Sequence, residues 1–253
     1  MNKKRIIIIA LAATAVGAWG YNEDHGPFPN YDGVELVSLV ELKYVPGDAD
    51  PSHPRFTFPI PRQKESRLLL LQESDMWAAE LTVNGKTLLQ PTPFSTYGTA
   101  GGMEAHSADL NQDGVDDFVI YSYSGGCGLA CGHCNVAFVL SSGGQYTLTT
   151  VTTLFPDKSD FVLLNGKPCF IHTSFLGVGE CKDGKSHNFW IYNLLAFGKE
   201  GVKVDNAAHA AFPKTIWYTF KPNHTETSII TDDQKATLRK QSLTCVHWKK
   251  GDS

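Results

Sequence analysis

From Val34 onward the chain is broken every few residues by Gly, Asn, Asp or Pro, and the runs between these breaks are short and either apolar or alternating. No other feature constrains the fold as strongly. Runs of this length between turn signals make strands, and a long series of them makes an all-β assembly. The pattern predicts strands over Val34–Val45, Arg55–Ile60 and Arg67–Gln72. A hairpin comes next, Ala78–Val83 and Thr87–Gln90, joined through Asn84-Gly85, a dipeptide that tolerates the positive φ of a tight turn. Pro91 to Gly102 reads as a loop closing an N-terminal β unit, residues 34–102.

A second unit, 103–253, carries further strand candidates at Asp117–Tyr123, Asn135–Leu140, Tyr146–Leu154, Phe161–Leu164, Phe170–Phe175, Asn188–Phe197 and Thr215–Phe220. Ser141-Ser142-Gly143-Gly144 is a turn between two of them. One helix is expected near the end. Thr231 caps it, Gln234 completes a capping box, and Asp232 and Asp233 suit its positive end, with the helix running to about Gln241. Asp113–Ile120 resembles Asn165–His172, 52 residues later, each a turn feeding an apolar strand. A period near 50 is the size of a propeller blade, but two copies do not close a ring. The expected fold class is mostly β: a β-sandwich or partial propeller-like assembly with one C-terminal helix.

Residues 1–18 read as a signal peptide. Lys3, Lys4 and Arg5 precede the apolar run Ile6–Ala15, which is too short to span a membrane, and Val16-Gly17-Ala18 offers small residues for cleavage. Residues 19–33, rich in Gly, Pro, Asn and Asp from Tyr21 on, read as a linker. Removing residues 1–18 takes away three positive charges and no acids, so the formal charge goes from -4 to -7. The remaining basic residues are scattered, so neither nucleic acid nor an anionic membrane surface is an expected partner. Export to the periplasm or medium is the expectation, with no membrane span after cleavage.

Asp109-Leu110-Asn111-Gln112-Asp113-Gly114-Val115-Asp116-Asp117 places side-chain oxygens at alternate positions, then a glycine, then another acid. A short loop wraps a hard divalent cation in this way, and an oxygen-only donor set favours calcium over zinc or copper. An EF-hand needs an acid at position 12 and a helix beyond it. Here position 12 is Ile120 and the residues around it are strand-like. The shell instead closes at position 9, Asp117, with the carbonyl of Val115 at position 7. The competing reading is an acidic turn without metal, since Asn, Asp and Gly are turn residues in any case.

Asp109 to Ile120 resembles the calcium loop of FG-GAP/VCBS-type repeats, which occur in integrin α-subunit propellers and many secreted bacterial proteins. The run from Phe170-Ile171-His172-Thr173 through His187-Asn188-Phe189-Trp190 to Trp217-Tyr218-Thr219-Phe220 is similar to exported bacterial proteins carrying such repeats, with no activity attached. The first resemblance implies Asp109, Asn111, Asp113, Val115 and Asp117 as ligands of a structural Ca2+. The chain departs from the repeat pattern in having one intact loop; the copy near Asn165 has Phe161, Leu163 and Cys169 at ligand positions.

Six cysteines, Cys127, Cys131, Cys134, Cys169, Cys181 and Cys245, lie after the leader, and an even number in an oxidising compartment suggests disulfides. Cys169 and Cys181, with eleven residues between them, form a plausible pair; the partners of the others stay open. Cys131-Gly132-His133-Cys134 is also the tetrapeptide of protein disulfide isomerase active sites. A redox pair needs its first thiol at a helix N-terminus, and the run Asn135–Leu140 after Cys134 is strand-like. Three cysteines with His133 offer a cramped zinc set. The plainer expectation is a stapled Gly-rich loop. His106 is a weaker site candidate, more often a surface histidine. Trp190, Tyr192, Trp217 and Tyr218 line either a carbohydrate or peptide groove or, more commonly, a core. Asn223-His224-Thr225 matches a glycosylation acceptor.

These readings converge on an exported, calcium-stabilised binding protein whose partner is another protein, one version being a periplasmic inhibitor or immunity protein. The alternative is a thiol–disulfide oxidoreductase using Cys131 and Cys134.

Overall fold

A computed structural model describes residues 34–45, 54–61, 63–97, 102–126, 132–207, 216–218 and 228–244. The expected leader and linker, Cys127, Cys131, Cys245 and Asn223 lie outside them. The strands are β1 (Glu35–Leu36), β2 (Val40–Leu42), β3 (Arg55–Pro59), β4 (Arg67–Glu73), β5 (Met76–Val83), β6 (Lys86–Ser95), β7 (Met103–Ala108), β8 (Asp117–Tyr123), β9 (His133–Ser142), β10 (Gln145–Leu154), β11 (Phe161–Leu164), β12 (Lys167–Val178), β13 (His187–Gly198), β14 (Gly201–Val204) and β15 (Ile216–Tyr218). One helix, α1 (Asp232–Thr244), comes after them among the described residues.

The fold is mostly β, in three open antiparallel sheets. Each is built on a four-stranded meander taken in chain order: β3-β4-β5-β6, then β7-β8-β9-β10, then β11-β12-β13-β14. The segment 34–45 stitches them at their edges. Its β1 extends the third sheet beside β11, its β2 extends the second beside β7, and Val45 bridges to Thr57 of β3. The single strand expected over Val34–Val45 is therefore two short ones, because the segment changes sheets between Leu36 and Val40.

The second sheet lies in the middle of the stack. Ile120, Ala137 and Val139 face Leu68, Leu70, Trp77 and Leu81 of the first sheet. Tyr121, Val136, Phe138 and Val151 face Phe161, Phe170 and Leu195 of the third. Consecutive residues in a strand point to opposite faces, so a sheet covered on both sides needs apolar residues at nearly every position. This is why β8 and most of β9 are buried continuously rather than alternately. The first core draws on both sides of Gly102, joining β3–β6 to β7–β9.

Local chemistry explains most boundaries. Asn84 and Gly85 take φ of 50° and 74°, the twist that a two-residue hairpin needs. The run after Gln90, expected as a loop, is instead the second half of β6, through Pro91 and Pro93. Proline is tolerated there because β6 is the edge strand of its sheet, where a missing N–H leaves no partner unpaired. The helix is capped as its sequence requires: Gln234 N–H donates to Thr231 Oγ1 at 3.2 Å, and Thr231 N–H donates to Gln234 Oε1 at 2.8 Å. Leu238 of α1 packs with Phe189, Ile191, Ile216 and Ile230 beneath the far end of the β12–β13 hairpin.

Candidate functional site

The Asp109–Asp117 loop joins β7 to β8 within the central sheet. Its acids turn inward and collect the loop's own N–H groups. Asp109 accepts from Asp113 N and Gly114 N, both at 3.0 Å. Asn111 Oδ1 accepts from Asp113 N at 3.1 Å, and Asp113 Oδ1 from Val115 N at 2.9 Å. Asp117, fully buried, accepts from Leu110 N at 2.8 Å, Asn111 N at 3.1 Å and Ser141 N at 2.7 Å. Burial raises its carboxyl to about 6, against the pull of those three donors.

Ser141, read in the sequence only as part of a turn, is a member of this site. Its hydroxyl donates to Asp113 Oδ2 at 2.6 Å and holds that carboxyl below its ordinary range. Its carbonyl accepts from Asn111 Nδ2 at 2.7 Å. Ser141 and Ser142, expected as turn residues, are the last two of β9, and the end of that strand is thereby locked to the loop. Gln112 also reaches across to the third sheet, donating to Gly166 O at 2.7 Å.

The donor set fits a hard cation: three carboxylates, one amide oxygen and one exposed carbonyl residue, Val115, on nine consecutive residues. As positioned, the acids serve the backbone, and among the described residues no three His, Cys, Asp or Glu side chains converge as a metal cluster. Holding a cation would require Asp109 and Asp113 to turn some of their oxygens from N–H groups to the ion. Each carboxylate has about four lone-pair sites, so the exchange need not strip the loop of its hydrogen bonds.

Cys134, Cys169 and Cys181 are free and buried. The expected bridge between Cys169 and Cys181 is not formed. Cys169 sits near the start of β12 and Cys181 lies beyond its far end, so the nine steps from Cys169 to Val178 alone span about 30 Å. A loop count assumed a compact turn where the chain is extended. Cys134 lies in β9 with its thiol pushed up to about 12 by burial. β9 begins at His133, so Cys134 lies on a strand, while Cys131 lies outside the described residues.

His106 is not a surface residue: it is fully buried on β7, edge-on to Tyr121 with ring centroids 5.5 Å apart. Burial, foremost, holds its pKa below the usual value. Trp190 and Tyr192 are core residues packed with Ile171 and Leu194. The side chains of Trp217 and Tyr218 lie outside the described part of the structure.

A second polar constellation went unread in the sequence. Ser122, Asn135 and Thr152 are register partners on β8, β9 and β10, so they form a row across one face of the central sheet. Ser95, at the end of β6, closes over the row. Ser95, Asn135 and Thr152, together with Met76, Phe94, Thr96, Tyr97 and Thr150, line a pocket of about 100 Å³. Only strand register assembles these residues, which are up to 76 positions apart.

Comparison with family models, with curated proteins and with solved structures found no match. The likeness to FG-GAP loops therefore rests on the residues of the 109–120 stretch themselves.

Proposed function

We propose that this protein is an exported interaction module: a β stack pinned by calcium at the 109–117 loop, which engages another protein through the segment 34–45. One observation carries the reading. Of the large apolar side chains exposed among the described residues, Leu36, Val40, Tyr44 and Val45 fall within ten residues of this one strap. Exposed apolar side chains gathered on one segment are a mark of interaction sites.

The strap's geometry suits the role. β1 and β2 are each terminal in the described strand order of their sheets, so an extended segment of a partner can add beside them. Main-chain hydrogen bonds would supply affinity, and Leu36 and Val40 would supply contacts. Calcium, when bound, supplies charge compensation for three acids and fixes the entry to β8. The partner as a toxin or hydrolase, with this protein its inhibitor, is the narrower version of the same reading.

The test is capture from the exported fraction on immobilised wild type and on a Leu36→Lys/Val40→Lys variant. Both positions are exposed, so the variant should melt within about 0.5 kcal/mol of wild type. A protein retained by wild type and lost by the folded variant supports the reading. Equal retention by both, or by neither, overturns it.

A further inference from the structure

We propose that the pocket between the first and second sheets is a binding site for a short neutral polyol group, such as the end of a sugar alcohol or the hydroxyl-bearing arm of a sugar. Polar residues are costly on a core face unless they are satisfied, and this row satisfies itself almost completely. The unused remainder belongs to residues that line the pocket.

The hydrogen-bond directions can be worked out. Ser95 Oγ accepts from Tyr97 N and from Asn135 Nδ2, both at 3.0 Å. A hydroxyl oxygen has two lone pairs, so both are used, and Ser95 must donate its own proton to Ser122 Oγ at 2.9 Å. Thr152 Oγ1 donates to Asn135 Oδ1 at 2.7 Å. The Asn135 amide is thereby fixed from both ends, oxygen toward Thr152 and nitrogen toward Ser95.

Three capacities are left over. Asn135 keeps a second N–H, Thr152 Oγ1 keeps its lone pairs, and Thr150 Oγ1 has no partner at all although it is 2% exposed. Thr150 lies two residues from Thr152 on the same strand and face, and Asn135, Thr150 and Thr152 all line the same pocket, with Thr150 Oγ1 buried in its wall. One N–H donor, one acceptor and one hydroxyl that can be either call for a ligand group that both donates and accepts. Adjacent hydroxyls do so.

Charge and size narrow the class further. The lining is Met76, Phe94, Ser95, Thr96, Tyr97, Asn135, Thr150 and Thr152, with no acid or base to balance a charged ligand. Phe94 and Met76 offer an apolar wall for C–H groups. A volume of about 100 Å³ is room for roughly three waters' share of liquid, which is glycerol-sized and smaller than a pyranose ring.

The experiment is a methyl- and amide-detected NMR titration of the full chain with glycerol, ribitol and, as an amide of similar size, N-methylacetamide. A Thr150→Val variant is run beside it. This substitution removes only the unpartnered hydroxyl, so the protein should fold as before. The expected result is a saturable shift at Thr150, Thr152 and Asn135 with the polyols, weakened about tenfold in Thr150→Val and restored in Thr150→Ser. Three results would each overturn the proposal: no saturable shift, which leaves a pocket for water only; equal affinity in Thr150→Val; or N-methylacetamide binding as tightly as the polyols.

Discussion

The β7–β8 loop and the β11–β12 turn do the same work in neighbouring sheets by different means. Each closes the first hairpin of its meander, and the two touch through Gln112 and Gly166. The later one is a two-residue turn in which Asn165 and Gly166 take φ of 53° and 73°. Backbone conformation alone reverses the chain there. The earlier one uses the eight residues between Ala108 and Asp117, and its reversal is held by carboxylates bonded to N–H groups. The difference shows what an acidic loop adds: attachment to a third element, the end of β9 at Ser141, and a donor set that suits a cation.

The sharpest way to break the comparison is Asp117→Ala. It would strand the buried N–H groups of Leu110 and Ser141 and the half-buried one of Asn111, at about 1–3 kcal/mol each before relaxation. A loss of about 4 kcal/mol by chemical denaturation is expected. A loss under about 1 kcal/mol would mean that the loop does not depend on its acids.

The strands launched by the two hairpins also differ. β12 carries His172, fully buried, whose Nε2 donates to Thr152 O at 2.9 Å while Nδ1 has no partner. Burial lowers its pKa from 6.5 to about 4. The unfolded chain thus binds the proton more readily, so this contribution is complete above pH 6.5 and is lost as pH falls toward 4. Asp160 acts in the opposite sense: burial raises it to about 8, so its contribution is lost as pH rises from 3.8 through 8. The difference between wild type and His172→Gln isolates the histidine and should reach about 3 kcal/mol at pH 4. Parallel stability curves for the two proteins would refute this.

The proposed calcium site belongs to only one of the two hairpins. Millimolar Ca2+ should raise the melting temperature of wild type, by about 2.7 kcal/mol of stability at a hundredfold excess over Kd. Asp113→Ala should abolish the rise, and Asn165→Gly should leave it intact. Wild type melting alike with and without calcium would remove the metal from the comparison.

Smaller effects are expected at the turns themselves. Asn165→Ala forces a Cβ residue without a helpful side chain into the left-handed region and should cost about 1 kcal/mol. Gln112→Ala cuts the exposed bond between the two turns and should cost about 0.5 kcal/mol. A double-mutant cycle of Gln112→Ala with Asp113→Ala would show whether that bond depends on the loop's shape.

Much of this fold was legible because its signals are local. Asp117–Tyr123 and Phe161–Leu164 have the boundaries that the sequence predicts, and the Asn84-Gly85 turn and the Thr231–Gln234 cap act as their residue types require. The misreadings have one cause. Pro91 and Pro93 look like loop residues unless β6 is known to be an edge, and His106 looks exposed unless β7 is known to lie between β2 and β8. Cys169 and Cys181 look close unless the chain between them is known to be extended. Each depends on neighbours that are distant in sequence.

The chain by itself determined the strands, the tight turns, the helix cap and an inward-turning set of oxygens at 109–117, since these depend on side chains within a few residues of one another. Only the tertiary structure decided that the β7–β10 sheet is central and buried on both faces. It alone brought Ser141 to the acids, left Leu36 and Val40 exposed, and aligned Ser122, Asn135 and Thr152 beneath Ser95. The physical reason is register: antiparallel pairing fixes which distant residues stand side by side, and no local pattern carries that information.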